Sequence, residues 1–445
     1  MNVDHIKNQR VKTIFQFSIP AIIAMVLTSL ITVTDGFFIG NYVGTDGIAA
    51  VNLGLPIIYL YLAVGLMISV GGVAIAGISL GERNQKKCNN VFNQTLCTTA
   101  VVSWILSLLV WLSFDTILRI LNADAQVAVY FKEYYMIMLF ELPIMVINAS
   151  FGMFIRSEGN PQYFMKVNIL NVLLNIILDY LFVNWFYLGV AGIAVASLIS
   201  ATVTLLCLLY FFVKKSKVYK FRKFIFSAEV FKSTFLNGSS EFIGEMSLCI
   251  SMFAYNFVIM RHIGVDGITA FAIVGYISYI FSMIIIGFGQ GASPLISFTY
   301  GAKEYTLTSD LRRITNVIVF LVGAGVLLLV LCTSQWYSSL FIENEVVEQM
   351  ICSGVKIFAV SFLFSGVNTI TSFYFTSIGR ALESAIVSSA RGLVLLLICI
   401  FTLPAVLGMI GVWLVSPITE ALTLLISLFF ICKERKHMQL GLTQE

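Results

Sequence analysis

Charge is what this chain has least of. Lysine, arginine, aspartate and glutamate together make up only 11% of its 445 residues, where ordinary soluble domains carry about 25%. Hydrophobic residues reach 59%, and mean hydropathy is +0.93. A soluble globule is excluded. There are three histidines and eight cysteines. The cysteines (Cys88, Cys97, Cys207, Cys249, Cys332, Cys352, Cys399, Cys432) fall in apolar runs or at their ends, with no Cys-x-x-Cys and no histidine at ligand spacing, so they read as packing residues. A Walker A loop is also missing, which removes support for direct ATP drive. Neither a Gly-x-Ser-x-Gly elbow nor a metal-ligand spacing appears, so no enzyme and no cofactor is expected.

What is present is apolar length. Runs of about 20 residues or more suffice to cross a hydrocarbon layer roughly 30 Å thick at 1.5 Å per residue. Such runs lie near residues 14–39, 48–78, 90–114, 127–154, 161–184 and 190–213, then 235–260, 268–298, 314–335, 347–375, 381–404 and 409–432. An all-α integral membrane protein of twelve transmembrane helices is expected. The polar start (Asp4, His5, Lys7, Asn8, Gln9, Arg10, Lys12) and the long first run argue against a cleaved signal peptide.

Basic residues cluster at Lys7/Arg10/Lys12, Arg83/Lys86/Lys87, Lys214–Lys223, Lys303/Arg312/Arg313 and Lys433/Arg435/Lys436. All of these fall on one side of a twelve-span topology, against Arg119, Lys132, Arg261 and Lys356 on the other. The positive-inside rule then puts both termini and the middle segment in the cytoplasm. Anchoring at an anionic leaflet accounts for that basic segment better than nucleic-acid binding does.

The chain repeats itself. Val43-Gly44-Thr45-Asp46-Gly47-Ile48-Ala49-Ala50 returns as Ile263-Gly264-Val265-Asp266-Gly267-Ile268-Thr269-Ala270, an offset of 266 − 46 = 220. Gly71/Gly291, Gly81/Gly301, Asn148/Asn368, Ser157/Ser377 and Gly159/Gly379 keep it, and Gly189/Gly408 follows with one residue lost. Six spans per repeat is an even number, so both halves enter the membrane in the same sense, related by a pseudo-two-fold axis along the membrane normal. The expected division is 1–213 as an N-terminal lobe, 214–234 as a cytoplasmic linker and 235–445 as a C-terminal lobe. Two similar lobes suit alternating access.

Acids inside apolar runs are costly, about 2.5–3.5 kcal/mol each on insertion scales, and so mark function. They are Asp35, Glu141, Asp179, Glu241 and Glu245. Asn168, Asn171, Asn175 and Asp179 step by 3, 4 and 4, which sets them on one helix face. Asp35 and Asp179 each sit about five residues, roughly 7–8 Å, from the outer end of their spans, a shared depth that lets them meet. Two carboxylates in one site of low dielectric favour holding a proton, and with amide oxygens they also suit sodium. Residue types leave that choice open. Tyr134, Glu141 and Asn148 share another face, with Met138 and Met145 beside them. The offset maps Asp35 onto Tyr255 and Asp179 onto Cys399, so the acidic site belongs to the first half only. In the second half an ion pair between Arg391 and Glu245 is expected. Pro20 invites a kink below Asp35.

In this order, Ser18-Ile19-Pro20, Thr34-Asp35-Gly36-Phe37-Phe38-Ile39-Gly40, Gly44–Ala50, Arg156-Ser157-Glu158-Gly159-Asn160-Pro161, Asn175-Ile176-Ile177-Leu178-Asp179 and Gly189–Ala194 resemble the multidrug and toxic compound extrusion (MATE) family, in its bacterial MepA-like branch. The likeness runs over nearly the whole chain. It implies a two-lobed antiporter in a bacterial inner membrane that expels amphipathic, often cationic compounds against protons or sodium. By position, the family's cation site falls on Asp35, Asn175 and Asp179, with Ser197 where many members carry threonine. Those residues are the candidates for sodium. Tyr134, Tyr135, Glu141, Asn148, Asn168, Asn171, Glu245, Asn368 and Arg391 are candidates for the cavity or substrate. Some members have an acid in span ten where this chain has Asn368 and Thr369, which counts against a second cation site.

The expected partners are a small amphipathic substrate and the lipid bilayer, not nucleic acid, and the expected working unit is a monomer. A flippase for a lipid-linked saccharide is the nearest rival and would need a basic cavity. A membrane enzyme or receptor would need a catalytic cluster or a large extramembrane domain.

Overall fold

The computed structural model describes residues 2–120, 124–339 and 345–442, with side chains to residue 435, so Lys436 of the last basic cluster lies outside the described side chains. Twelve helices are long and apolar enough to cross a membrane: α1 Arg10–Tyr42, α2 Thr45–Gly81, α3 Gln85–Leu112, α4 Ala125–Ser157, α5 Pro161–Trp185, α6 Gly189–Lys215, α7 Ala228–His262, α8 Val265–Gly301, α9 Tyr305–Ser339, α10 Glu345–Ser377, α11 Ala381–Leu407 and α12 Met409–Arg435. Each overlaps one expected span, and no strand occurs among the described residues. The fold is an all-α membrane protein. α1 continues as helix through Pro20.

Local signals explain where helices start. The Asn84 side chain accepts from the Lys87 amide at 3.1 Å and opens α3, while Pro161, whose missing N–H costs nothing in a first turn, opens α5. The turns carry the repeat in their backbone. Positive φ angles occur at Gly44 and Gly264, Arg83 and Lys303, Gly159 and Gly379, and Gly189 and Gly408. The first three pairs keep the sequence offset in full, and the last falls one short of it, as in the sequence. The same closing bond follows, with Gly44 N–H reaching the Ile39 carbonyl and Gly264 N–H the Ile259 carbonyl, each at 3.0 Å. Such bonds satisfy carbonyls that a helix end leaves open.

The chain divides into two compact units, residues 19–238 and residues 2–18 with 239–445. Neither unit starts where the repeat starts. α1 leaves the second unit at Ser18 and α7 leaves the first at Gly238, positions that are themselves counterparts under the repeat. In the second unit Arg10 is paired with Asp310. In the first, Gly71 and Gly238 mark a backbone approach so close that a Cβ on Gly238 would stand 1.8 Å from the Met67 carbonyl oxygen.

Lipid supplies little hydrophobic force between helices, so packing and side-chain hydrogen bonds hold each unit. Tyr61, Ser107 and the Leu139 carbonyl form one chain across α2, α3 and α4, at 2.6 and 2.7 Å. In the second unit Ser240, Thr376, Ser384 and Ser372 do the same across α7, α10 and α11, at 3.0, 2.7 and 2.9 Å.

The basic segment between α6 and α7 forms neither helix nor strand over residues 216–227 and is bound along α3 by side-chain amides. Asn89 accepts from the Lys220 N–H at 2.7 Å. Asn93 donates to the Lys220 carbonyl at 2.9 Å and accepts from the Arg222 N–H at 3.2 Å. Asn90 makes both bonds to Ile225, and Gln94 both to Ser227. A strand partner is thus replaced by one face of a helix. Glu158 accepts from Ser216 and from the amides of Lys217 and Val218, and Tyr219 is buried against Phe92 with its hydroxyl 2.8 Å from Ser157 Oγ. Replacing Asn89 and Asn93 together by alanine removes three bonds to this segment, each worth about 0.5–1.5 kcal/mol. Trypsin should then cut after Lys220, Arg222 or Lys223 at least about tenfold faster than in the parent chain; an unchanged rate would show that the amides do not hold it.

Candidate functional site

α5 turns its polar stripe inward. Asn175 and Asp179 are fully buried, Asn168 is buried and Asn171 is half-buried, so the 3-4-4 spacing does produce one face. Asp179 lies one residue before the last α-helical residue, Tyr180, after which the chain widens into a π turn over Leu181–Trp185. Such turns often mark functional places in helices.

Asp35 of α1 and Asp179 of α5 bring their carboxyl groups within hydrogen-bonding reach of each other, with Glu141 and Tyr134 of α4 close enough to act on them electrostatically. Asn175 donates to Ser197 Oγ of α6 at 3.2 Å. The site therefore joins Asp35, Asn175, Asp179, Ser197, Tyr134 and Glu141. Two of the cavity candidates on α4 bond to backbone carbonyls. Tyr135 donates to the Val51 carbonyl at 2.8 Å, in room left by Gly54, whose Cβ would stand 2.0 Å from the tyrosine ring. Asn148 donates to the Ala201 carbonyl at 2.9 Å.

The chemistry of the site is one-sided. Asp35 Oδ1, both Asp179 oxygens, Glu141 Oε2, Asn171 Oδ1 and Asn175 Oδ1 are buried and meet no hydrogen-bond donor among the described residues. A buried acceptor left this way costs about 1–3 kcal/mol, more when charged. Every one of these atoms is an oxygen. The set therefore fits a proton shared between carboxyls or a hard monovalent cation, and no trio of His, Cys, Asp or Glu converges as a multivalent metal site among the described residues.

The family model MatE matches residues 20–181 and again 242–402, once in each half of the chain. The chain belongs to the MatE family. Multidrug export protein MepA of Staphylococcus haemolyticus is 22% identical over 429 residues, covering 96% of this chain and 94% of that protein. MepA of Staphylococcus aureus is likewise 22% identical over 428 residues, covering 94% and 93%. Among solved structures, an outward-facing multidrug-resistance MATE-family transporter superposes with a TM-score of 0.90 at 23% identity, covering 96% of both chains. A MATE protein in a bent conformation gives 0.91 at 23%, covering 97% of both. These relatives are transporters, not enzymes. This MatE chain is a multi-pass membrane protein of a multidrug efflux family, with two six-helix lobes.

The C-terminal half of this MatE chain corrects one expectation. Arg391 does not pair with Glu245. Its Nε and Nη2 donate to Glu420 Oε1 at 3.1 and 2.7 Å, and its Nη1 donates to Thr369. Asn368 donates to Glu420 Oε2 at 2.8 Å, and Ser427 donates to Asn368 Oδ1 at 2.9 Å. Glu241 and Glu245 are half-buried on α7. Spacing along one helix cannot say which residue of another helix it meets. Glu420 escaped the sequence list of intramembrane acids although it sits mid-run in α12, which was signal enough. Arg156, in the last turn of α4, is buried over the Phe164 ring at 4.9 Å.

Changing Asp179 to Asn keeps the side chain's size and removes one of two facing acids. Melting in detergent should be no lower than in the parent. A fall of about 2–4 °C or more, the scale of ~1 kcal/mol in a mid-sized domain, would mark Asp179 as a structural partner instead.

Proposed function

We propose that the protein exports small amphipathic, often cationic compounds by antiport, each cycle driven by a proton or sodium ion that binds at Asp35 and Asp179. The observation that carries this reading is the buried oxygen cluster without hydrogen-bond donors, in which two carboxyl groups face each other with no positive side chain beside them among the described residues. The export chemistry is suggested by the MepA relatives.

Asp35 and Asp179 hold the cation, Asn175 adds an amide oxygen, and Ser197 fixes that amide. Glu141 and Tyr134 tune the field around them. Cation arriving from outside stabilises one arrangement of the N-terminal helices, in which substrate binds more weakly. By linkage, bound substrate weakens cation binding by the same factor. Each charge that crosses a 100 mV potential supplies about 2.3 kcal/mol to the cycle. The basic clusters support cytoplasmic termini in a bacterial inner membrane, and a single chain contains every group the cycle uses.

The saccharide-flippase reading has less support, because Arg391, a deep cation it would use for pyrophosphate, is spent on Glu420 and Thr369.

Dye efflux from proteoliposomes, with proton and sodium gradients imposed separately, tests the proposal. One of the two gradients should drive efflux in the parent, and Asp179→Asn should reduce the driven component at least about a hundredfold while leaving the protein inserted. Full efflux by that variant would contradict the assignment.

A further inference from the structure

The repeat allows each buried polar group to be compared with its counterpart in the other half. Asn148 and Asn368 are such counterparts, and they make the same bond: each donates from Nδ2 to a backbone carbonyl 2.9 Å away, of Ala201 and of Glu420 respectively. Ala201 and Glu420 also correspond, once the single residue lost near Gly408 is allowed for. The joint between α4 and α6 thus recurs between α10 and α12. What hangs on it differs. At the first joint the residue is alanine, and among the described residues the acids nearby on α1, α4 and α5 have no cationic partner. At the second the residue is Glu420, buried, with its carboxylate taking three donors: Arg391 Nε at 3.1 Å, Arg391 Nη2 at 2.7 Å and Asn368 Nδ2 at 2.8 Å. The third guanidinium nitrogen binds the Thr369 hydroxyl.

Arg391 stands where the first half has Asn171, and it sits inside a π turn, Ala390–Val394. A guanidinium bonded to a carboxylate and a hydroxyl through separate nitrogens occupies the position that a free cation would take between those oxygens.

We propose that Arg391 is a tethered cation filling a monovalent-cation site of the C-terminal half, built from the Glu420 carboxylate and the Thr369 hydroxyl. Because this cation is covalently part of the chain, it cannot exchange. The C-terminal half keeps constant charge through the cycle, and on the reading proposed above only the N-terminal acids carry a coupling ion. Removing the guanidinium leaves a buried carboxylate beside a hydroxyl and an amide, and that carboxylate then takes a proton or sodium from the medium.

The test counts cations bound per purified, detergent-solubilised chain, as protons released on alkalinisation and as radioactive sodium retained. Asp179→Asn serves as the background in every arm, so that whatever Asp35 and Glu141 still bind is common to all of them and cancels. Adding Arg391→Met should raise uptake by one cation per chain. Adding Glu420→Gln to that chain should abolish the gain, and Arg391→Lys, which keeps a tethered charge, should show none. If Arg391→Met is not recovered folded, Arg391→Gln, which keeps one donor to Glu420, is read in its place. A folded Arg391→Met or Arg391→Gln chain with no added cation overturns the proposal. Recovery of either only when Glu420→Gln accompanies it overturns it too, since a site that takes up a cation supplies its own counter-charge. A gain here with no Asp179-dependent binding in the parent would sink the coupling role of Asp179 and leave this inference standing.

Discussion

A carboxylate removed from water needs positive charge or donors, and the buried acids of the two halves differ in what stands beside them. Among the described residues, the N-terminal acids on α1, α4 and α5 keep buried oxygens that meet no hydrogen-bond donor, and on the reading proposed above a proton or ion from outside the chain supplies the charge. In the C-terminal half Glu420 meets a guanidinium fixed to α11. Leaving a buried ion without its partner costs about 3–5 kcal/mol. A difference of that size between bound and free states is large enough to bias how helices pack, and on the proposed reading it arises in the N-terminal half.

Much of the fold was legible in the sequence because lipid writes a simple code. Twelve apolar runs became twelve helices, and the turn residues that keep the repeat offset are the ones whose backbones adopt positive φ. Gly44 and Gly264 could be paired by eye; the same pairing of Arg83 with Lys303 could not, since neither side chain advertises a left-handed turn. The stripe on α5 was legible too, because helical spacing alone places Asn168, Asn171, Asn175 and Asp179 together. What spacing cannot supply is contact between helices. Arg391 met Glu420 and not Glu245.

The basic character of the segment after α6 was legible, but its binding to α3 was not. Asn89, Asn90, Asn93 and Gln94 read as an ordinary polar helix start. Only the structure shows that their amides serve as the pairing edge for a strand-like segment. That binding fixes the basic residues from Lys214 to Lys223 at the end of the N-terminal half. It also leaves little slack before α7, which begins at Ala228 within the first packing unit and passes into the second after Gly238.

The central claim is that Asp35 and Asp179 share one exchangeable cation. Infrared difference spectra of the purified protein, recorded as protons or sodium are exchanged, read carboxyl groups directly. The account predicts a carboxyl band that changes on exchange and disappears from the difference spectrum in both Asp35→Asn and Asp179→Asn. A spectrum without carboxyl bands, or one that survives both substitutions, would contradict it.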